Sequence, residues 1–260
     1  MSTFFQFKSL VTHWLDEVDD HSVHSPFYFD FYNTVVQRKG YDQKFDAIEE
    51  TRKRLLKNDA TLHVTDLGST SPHFNGSARR ISRVAATSLS PRKYCLLYYR
   101  IAEYLKSERI LELGTSFGIT TLYLSAKEKS KVFTFEGNPD ILAVAQTNFE
   151  SFERKNIKVI DGNLDSSLSD FLQDPTKIDF VLMDANHRYQ PTILYFNLLC
   201  RRMSDKGVII VDDIHQSSEM EKAWEEMKDH DLVYGTIDLF KCGLLLFDLS
   251  LTKQHFVWSL

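Results

Sequence analysis

The sequence predicts an α/β fold built on a doubly wound, mostly parallel sheet, and two observations support this. From about residue 109 onward, short runs of β-branched and aromatic residues alternate with longer helix-like stretches. Each run ends in a carboxylate, and successive carboxylates are 24, 25, 23 and 28 residues apart: Glu112, Glu136, Asp161, Asp184 and Asp212. That spacing accommodates a strand, a crossover helix and the next strand, as in a parallel βαβ array.

Five parallel strands follow from this pattern, at residues 109–112, 132–136, 157–161, 179–184 and 207–213. Residues 180–183 and 208–211 are continuously apolar, which is typical of strands covered on both faces. The runs at 232–240 and 243–249 lie too close together for a crossover helix, and they predict an antiparallel hairpin that completes the sheet. Carboxyl ends of parallel strands share the edge at which such sheets bind ligands, so we expect the site there.

Residues 1–105 predict a helical N-terminal extension or cap, and residues 106–260 the sheet domain. Amphipathic stretches in the extension are at 3–17, 27–36, 42–57 and 90–105, separated by a loop at 21–26 and a polar stretch at 68–77. Asn138-Pro139 and Ser90-Pro91 each place a capping residue before a proline, so both predict helix starts.

Composition excludes several protein classes. The 260 residues are 43% hydrophobic and 26% charged, which excludes collagen-like and disordered chains. The three cysteines are scattered without a Cys-x-x-Cys pair, which argues against a disulfide framework or zinc ribbon and suits a reducing compartment. No apolar run approaches the roughly 18 residues of a membrane helix. We therefore expect a cytoplasmic protein without a membrane partner.

The net charge of −5 conceals a basic stretch. Residues 51–100 hold ten Lys or Arg but only Asp59 and Asp66 as acids. Such a stretch suits an anionic substrate or RNA, while the alternative is a solvated face that balances the acidic remainder of the chain.

The most specific local pattern closes the first parallel strand, and it reads Glu112-Leu113-Gly114-Thr115-Ser116-Phe117-Gly118. Glycines at a strand-to-helix turn let the backbone approach a ligand, and the following helix offers free N–H groups. Because Ser116 stands at the middle position, the run differs from the Gly-x-Gly-x-x-Gly pattern of dinucleotide-binding proteins. A similar run at 64–70 is followed by residues that cannot begin a helix, so it predicts a loop. Glu136, which ends the next strand, can accept both hydroxyls of a ribose or be a solvated strand end.

With these motifs in place, residues 88–249 resemble class I S-adenosylmethionine-dependent methyltransferases, and within that class the catechol and caffeoyl-CoA type O-methyltransferases. The resemblance implies a Rossmann-like sheet of the seven-stranded methyltransferase type. It implies that Asp184 lies near the methionine amino group and the reactive centre, and that Thr120 holds the methionine carboxylate. The other cofactor-binding residues that it implies are Glu112, Gly114, Thr115, Ser116 and Gly118 in the glycine turn, Glu136, Gly137 and Asn138 at the ribose, and Gly162 and Asn163 along the adenine.

The sequence departs from the metal-dependent members of this class at two points. Their ligands are the acid matching Asp184, a later Asp and a following Asn, whereas this chain has Asp212-Asp213. We expect no divalent cation; were one bound, its ligands would be Asp184, Asp212 and Asp213. The family's general-base Lys is replaced by His187, which we expect to act with Asp184 in catalysis or else to line the cofactor pocket. Among the remaining histidines, His215 stands closest to the acidic pair and is the one expected to meet substrate.

The function expected from the resemblance is transfer of the cofactor's methyl group to an oxygen of a small molecule. RNA methylation through the basic 51–100 stretch is the alternative enzyme, although Asp184-Ala185-Asn186-His187 lacks the Asn/Asp-Pro-Pro-aromatic element of enzymes that methylate base amino groups. A non-catalytic adenosyl-binding module is a third alternative, and the glycine spacing disfavours a nicotinamide oxidoreductase. The sequence leaves open the acceptor, O- against N-methylation, and whether the chain forms a homodimer.

Overall fold

The structure is a computed structural model that describes residues 3–18, 25–38, 40, 42–64 and 78–260. Its α-helices are α1 (Thr3–Asp16), α2 (Pro26–Phe31), α3 (Asp46–Leu56), α4 (Ile81–Ser88), α5 (Arg92–Tyr104), α6 (Ile119–Leu124), α7 (Pro139–Ser151), α8 (Leu164–Phe171), α9 (Tyr189–Cys200) and α10 (Ser218–Asp229). Its strands are β1 (Thr61–His63), β2 (Ala78–Arg80), β3 (Arg109–Leu113), β4 (Lys131–Glu136), β5 (Ile157–Asp161), β6 (Ile178–Met183), β7 (Met203–Asp212), β8 (Gly235–Asp238), β9 (Cys242–Leu246) and β10 (Gln254–Val257). Residues 21–24 of the predicted loop at 21–26, residues 65–70 of the run at 64–70 and the polar stretch at 68–77 lie outside the described residues.

The chain divides into two compact units, Met1–Arg38 with Leu172–Leu260, and Lys39–Phe171. This division places helices α3 to α5 in the same unit as strands β3 to β5. It differs from the predicted boundary between residues 105 and 106. The division into an extension at 1–105 and a sheet domain at 106–260 stays a prediction.

In the unit Lys39–Phe171, three strands are parallel in the order β3-β4-β5. Leu113 lies opposite Phe135, and Glu136 opposite Asp161, so the carboxyl ends of the three strands are level. The hydrophobic core of this unit draws on α3, α4, α5, α6 and α7, and it includes Phe45 stacked on Tyr123 with ring centroids 4.2 Å apart. Strands β1 and β2 form a separate antiparallel pair that the sequence analysis did not predict.

The other unit contains five strands in the order β10-β8-β9-β7-β6. Strands β6 and β7 are parallel, while β9 is antiparallel to β7 and to β8, which confirms the predicted hairpin. Strand β10 adds parallel to β8 and was not predicted. Together, the alternating strands and helices, the parallel pairs and the hairpin confirm the predicted α/β class.

Helix α1 is attached to its unit through its polar side. Ser9 and His13 are buried, whereas Phe7 and Trp14 are 64% and 69% exposed. The Ser9 hydroxyl donates to Glu221 at 3.4 Å, and Nε2 of His13 lies 3.3 Å from an Asp238 oxygen. Polar contacts therefore set the position of this helix.

One of the two predicted helix caps is confirmed, and the other is wrong. Oδ1 of Asn138 accepts the N–H groups of residues 140 and 141 at 3.0 Å each, as an N-cap does. Ser90 does not cap α5, because Pro91 is the N-cap residue. The Ser90 carbonyl accepts a bond from the Arg52 guanidinium at 2.7 Å. No helix in the described part of the chain combines the length and apolar character needed to cross a membrane.

Candidate functional site

The glycine turn between β3 and α6 is a sharply bent backbone. Gly114, Ser116 and Gly118 have φ values of 102°, 49° and 78°, all in the left-handed region. The Gly114 N–H donates to the carbonyl of Phe135 at 3.1 Å, which ties the turn to the end of β4. A Cβ at Gly118 would overlap the Phe149 ring of α7. Gly118 therefore lets α7 pack against the turn.

Glu136 is the carboxylate that the turn holds in place. Its Oε2 accepts the Ser116 N–H and its Oε1 the Asn138 N–H, both at 3.0 Å, and the Gly137 N–H also bonds to it. Burial raises the pKa of Glu136, while these N–H groups oppose that rise. Each oxygen of an ionised carboxylate has a further lone pair. Glu136 can therefore accept two adjacent hydroxyls without moving.

Glu112 lies behind the turn, inside the unit. Its carboxylate is 1% exposed and accepts the hydroxyls of Thr134, at 2.6 Å, and of Thr121. The Thr115 and Thr134 hydroxyls are 2.6 Å apart, so Thr115 belongs to the same chain of hydroxyls. These bonds join β3, β4 and α6, and they fix the shape of the turn from within.

The remaining predicted cofactor residues of this unit differ in their surroundings. Asn138 and Asn163 use their side chains to begin helices, and Oδ1 of Asn163 accepts the Asp165 N–H at 2.9 Å. Thr120 is 9% exposed, and its hydroxyl lies 3.6 Å from Sγ of Cys95. Gly162 has φ 120°, and a Cβ there would meet no atom within 4 Å. The space beside Gly162 is therefore open, and its predicted place along the adenine stays a prediction.

In the other unit, four predicted residues come together with a fifth that the sequence analysis missed. Asp184 directly follows β6, and Asp212 is the last residue of β7. The two strands are paired, with Met183 opposite Val211. Nε2 of His187 is 3.4 Å from Oδ1 of Asp184. Nζ of Lys241 donates to Oδ2 of Asp212 and to Oδ1 of Asp213, the latter at 3.0 Å. We call Asp184, Asp212 and Asp213 with Lys241 the acidic cluster.

Charge and burial set the ionisation of this cluster. Burial, together with the nearby Asp184 charge, raises the pKa of Asp212 to about 7. Burial also disfavours the charge of Asp184, but the hydrogen bond and charge of His187 outweigh it and lower the Asp184 pKa. Burial likewise opposes the positive charges, yet the carboxylates raise the pKa of both His187 and Lys241 above their usual values.

The backbone around the cluster is strained. Asn186, His187, Asp213 and Phe240 have φ values of 70°, 36°, 54° and 65°, in the region that disfavours side chains. Residues held in such conformations gather at functional sites. The strain marks the ends of β6 and β7 and the β8–β9 turn as a candidate site.

The acidic cluster does not fit a divalent cation. Carboxylate oxygens are suitable ligands for Mg²⁺ or Ca²⁺, but the Lys241 ammonium bonds to the Asp212 and Asp213 oxygens that such an ion would need. Among the residues that the structure describes, no three His, Cys, Asp or Glu side chains form an arrangement suited to a metal ion.

His215 belongs to a neighbouring cluster rather than to an open pocket. Its Nε2 is 2.8 Å from Asp238, its Nδ1 is 3.5 Å from Glu221, and its ring stacks on Phe240. Burial would raise the pKa of Asp238, but bonds from His13 and His215 hold it well below its usual range. These contacts stabilise the β8–β9 turn, and substrate contact by His215 stays a prediction.

Several cations of the basic 51–100 stretch are paired within their own unit. The ion pairs are Arg52 with Glu49, Lys53 with Glu50, Arg80 with Asp59 and Arg92 with Asp46. Arg52 is also buried. This pairing favours the solvated, locally balanced face over an RNA-binding surface.

Comparison with known proteins agrees with this geometry. Residues 111–214 match a family model described as a methyltransferase domain. These residues form a class I S-adenosylmethionine-dependent methyltransferase domain. Over 159 residues, 60% of this chain and 69% of the relative, the methyltransferase is 26% identical to the catechol O-methyltransferase of Mycobacterium tuberculosis.

Solved structures resemble the methyltransferase over most of its length. An O-methyltransferase from Bacillus cereus, in complex with S-adenosylhomocysteine, has a TM-score of 0.57 at 15% identity, covering 84% of this chain and 95% of that one. A methyltransferase from Podospora anserina, also bound to S-adenosylhomocysteine, has a TM-score of 0.56 at 15% identity, covering 81% and 98%. At these identities the likeness shows the fold.

Proposed function

We propose that the methyltransferase binds S-adenosylmethionine at Glu136 and the glycine turn, and methylates an oxygen of a small-molecule acceptor. The observation that carries this proposal is the Glu136 carboxylate, which the Ser116 and Asn138 N–H groups fix at the end of β4. A carboxylate in this position suits the two hydroxyls of a ribose. The open space at Gly162, one strand further along, suits an adenine.

Two observations support a small hydroxyl compound as the acceptor. The Mycobacterium tuberculosis relative is named a catechol O-methyltransferase, and the similar Bacillus cereus structure is an O-methyltransferase. Several cations of the basic stretch are paired within the chain, which weakens the case for RNA.

The cofactor supplies a methyl group on a sulfonium, which is already a good leaving group. The protein must therefore align the acceptor, exclude water and handle the acceptor's proton. We assign the proton to His187, because Asp184 lies 3.4 Å from its Nε2 and stabilises the imidazolium that results.

Calorimetric titration of the purified protein tests the cofactor. We expect saturable binding of S-adenosylmethionine and S-adenosylhomocysteine and no binding of NADH. Binding of NADH alone would overturn the proposal in favour of an oxidoreductase.

A panel of acceptors tests the substrate class. Catechols, simple phenols, aliphatic alcohols, amines and an RNA transcript are each incubated with S-adenosylmethionine, and methylated products are identified by mass spectrometry. We expect methylation within the hydroxyl compounds; methylation of RNA or of amines alone would contradict the assignment.

His187→Gln tests the proton acceptor, with His63→Gln as the control because His63 is exposed on β1. Loss of a general base typically costs about 10²–10⁴-fold in rate. We expect a fall in kcat of this order for His187→Gln, with S-adenosylmethionine affinity little changed, and no effect in the control. An unchanged kcat would remove His187 from the mechanism.

A further inference from the structure

The acidic cluster already contains a cation. Lys241 Nζ bonds to one oxygen each of Asp212 and Asp213, so it bridges the two carboxylates. The second Asp213 oxygen accepts the Gln216 side-chain amide at 3.0 Å. Asp212 is 1% exposed, and a buried carboxylate of this kind requires a compensating charge.

The sheet register delivers Lys241 to this position. Cys242, the next residue, is the Cα partner of Asp212 in the antiparallel pair of β9 and β7. Lys241 therefore leaves the β8–β9 turn directly beside the end of β7, where the two aspartates stand.

The turn that carries Lys241 is itself held in place. The Phe240 N–H donates to Oδ1 of Asp238 at 2.8 Å, and Lys241 N–H to the Leu239 carbonyl at 2.8 Å. Asp238 in turn contacts the rings of His13 and His215. With its backbone fixed in this way, the ammonium is a built-in part of the cluster.

Side chains already contact the carboxylates of the cluster, and the Lys241 ammonium offsets part of their negative charge. Lys241 contacts Asp212 and Asp213, and the His187 ring contacts Asp184. A divalent ion bound to these oxygens would lie beside the ammonium, and two like charges at such a distance repel strongly in a partly buried site.

We propose that Lys241 is the resident cation of the acidic cluster and takes the place of the divalent metal used by metal-dependent O-methyltransferases. This inference rests on the proposed function. Because a lysine offers hydrogen-bond donors rather than open coordination positions, the acceptor need not chelate through two neighbouring hydroxyls. The acceptor class that fits is a compound with a single hydroxyl or phenolate, including compounds that are not catechols.

The test that is independent of catalysis is Mn²⁺ binding, followed by electron paramagnetic resonance. We compare the wild-type protein with Lys241→Ala, with the double variant Lys241→Ala/Asp212→Asn, and with Lys253→Ala. Lys253 is a matched control, because it is exposed and donates to the Asp229 carbonyl, away from the cluster.

We expect no saturable Mn²⁺ binding by the wild type or by Lys253→Ala. Removing the ammonium frees two carboxylates, so Lys241→Ala should gain saturable Mn²⁺ binding at concentrations at least about tenfold below the highest at which the wild type shows none, and the double variant should lose this gain. Stoichiometric Mn²⁺ binding by the wild type would overturn the inference, as would absence of a gain in a folded Lys241→Ala protein.

Turnover supplies the second test. Methyl transfer by the wild type should be unchanged in EDTA, and Lys241→Ala should lose activity that Mg²⁺ restores in part. Turnover of the wild type that EDTA stops and Mg²⁺ restores would refute the inference even if Lys241→Ala fails to fold. S-adenosylmethionine titration is run alongside: failure of the wild type to bind it would refute the proposed function, while the Mn²⁺ comparison would still decide the role of Lys241.

Discussion

Replacing Glu136 by Gln is the sharpest test of the cofactor site, because the change removes one oxygen and the charge but keeps the shape. In the structure, Oε1 accepts the Asn138 N–H and Oε2 accepts the Ser116 N–H. A glutamine has only one oxygen, so its NH₂ group must face one of these N–H groups. Its remaining oxygen cannot serve both the backbone and two ribose hydroxyls.

The expected loss follows from those bonds. A charge-assisted hydrogen bond is worth about 1.5–3 kcal/mol, and a buried N–H without a partner costs about 1–3 kcal/mol. Part of the cost of the unpartnered N–H group is already present in the variant without ligand, and that part does not reduce affinity. We therefore expect Glu136→Gln to weaken S-adenosylmethionine binding by about 1–3 kcal/mol, or about 5- to 150-fold.

Isothermal titration calorimetry measures this loss, with Glu150→Gln as the control because Glu150 is exposed on α7. The pH dependence adds a second readout. Because burial raises the pKa of Glu136, wild-type affinity should fall as the pH is lowered through that raised value, since the protonated carboxyl loses an acceptor. Glu136→Gln should lack this dependence. Equal affinity and equal pH dependence in wild type and variant would refute the ribose assignment.

Two further predictions concern stability and are measured by urea unfolding. Gly118→Ala should lower the free energy of unfolding by about 1–3 kcal/mol, because the position has a positive φ and the added Cβ would overlap the Phe149 ring. Gly162→Ala also has a positive φ but meets no neighbour, so it should lower the free energy of unfolding by only about 1 kcal/mol. Equal losses in the two variants would contradict the packing argument. Asp238 has a depressed pKa, so it stabilises the fold above its unfolded pKa of about 4, and that stabilisation is lost as the pH falls toward its folded value. Asp238→Asn should therefore be less stable than the wild type at neutral pH, and the difference in their free energies of unfolding should become smaller in acid. A difference that does not change with pH would show that the charge of Asp238 does not stabilise the fold.

The sequence predicts the strands well because their signal is local. Five acid-terminated runs at strand-helix-strand spacing place β3 to β7 within a few residues of their observed bounds. Strand β10 was missed because Gln254–Val257 is four residues long and two of them are exposed. The β1–β2 pair was missed because its pairing joins residues separated by the 65–77 segment.

The candidate site can be predicted only in part from the sequence, because sequence patterns report local structure and not the pairing of distant residues. Asp184, Asp212 and Asp213 could be predicted because they lie at the ends of predicted strands. His187 could be predicted because it stands three residues after Asp184. Lys241 carries no motif, and its role depends on a register between β9 and β7 that only the folded sheet specifies. Ser90 shows the reverse error, because its sequence is typical of an N-cap but the helix begins one residue later, with Pro91 as the N-cap residue.

The pairing of Cys242 with Asp212 makes turn length a determinant of chemistry. Side chains alternate between the two faces of a strand, so a shift of one residue reverses the face of every residue that follows. Inserting a single residue between Lys241 and Cys242 would thus turn the ammonium away from the aspartates while leaving the composition of the turn almost unchanged. Within this fold, the length of one short loop could decide whether the acidic pair keeps a lysine or is open to an ion from solution.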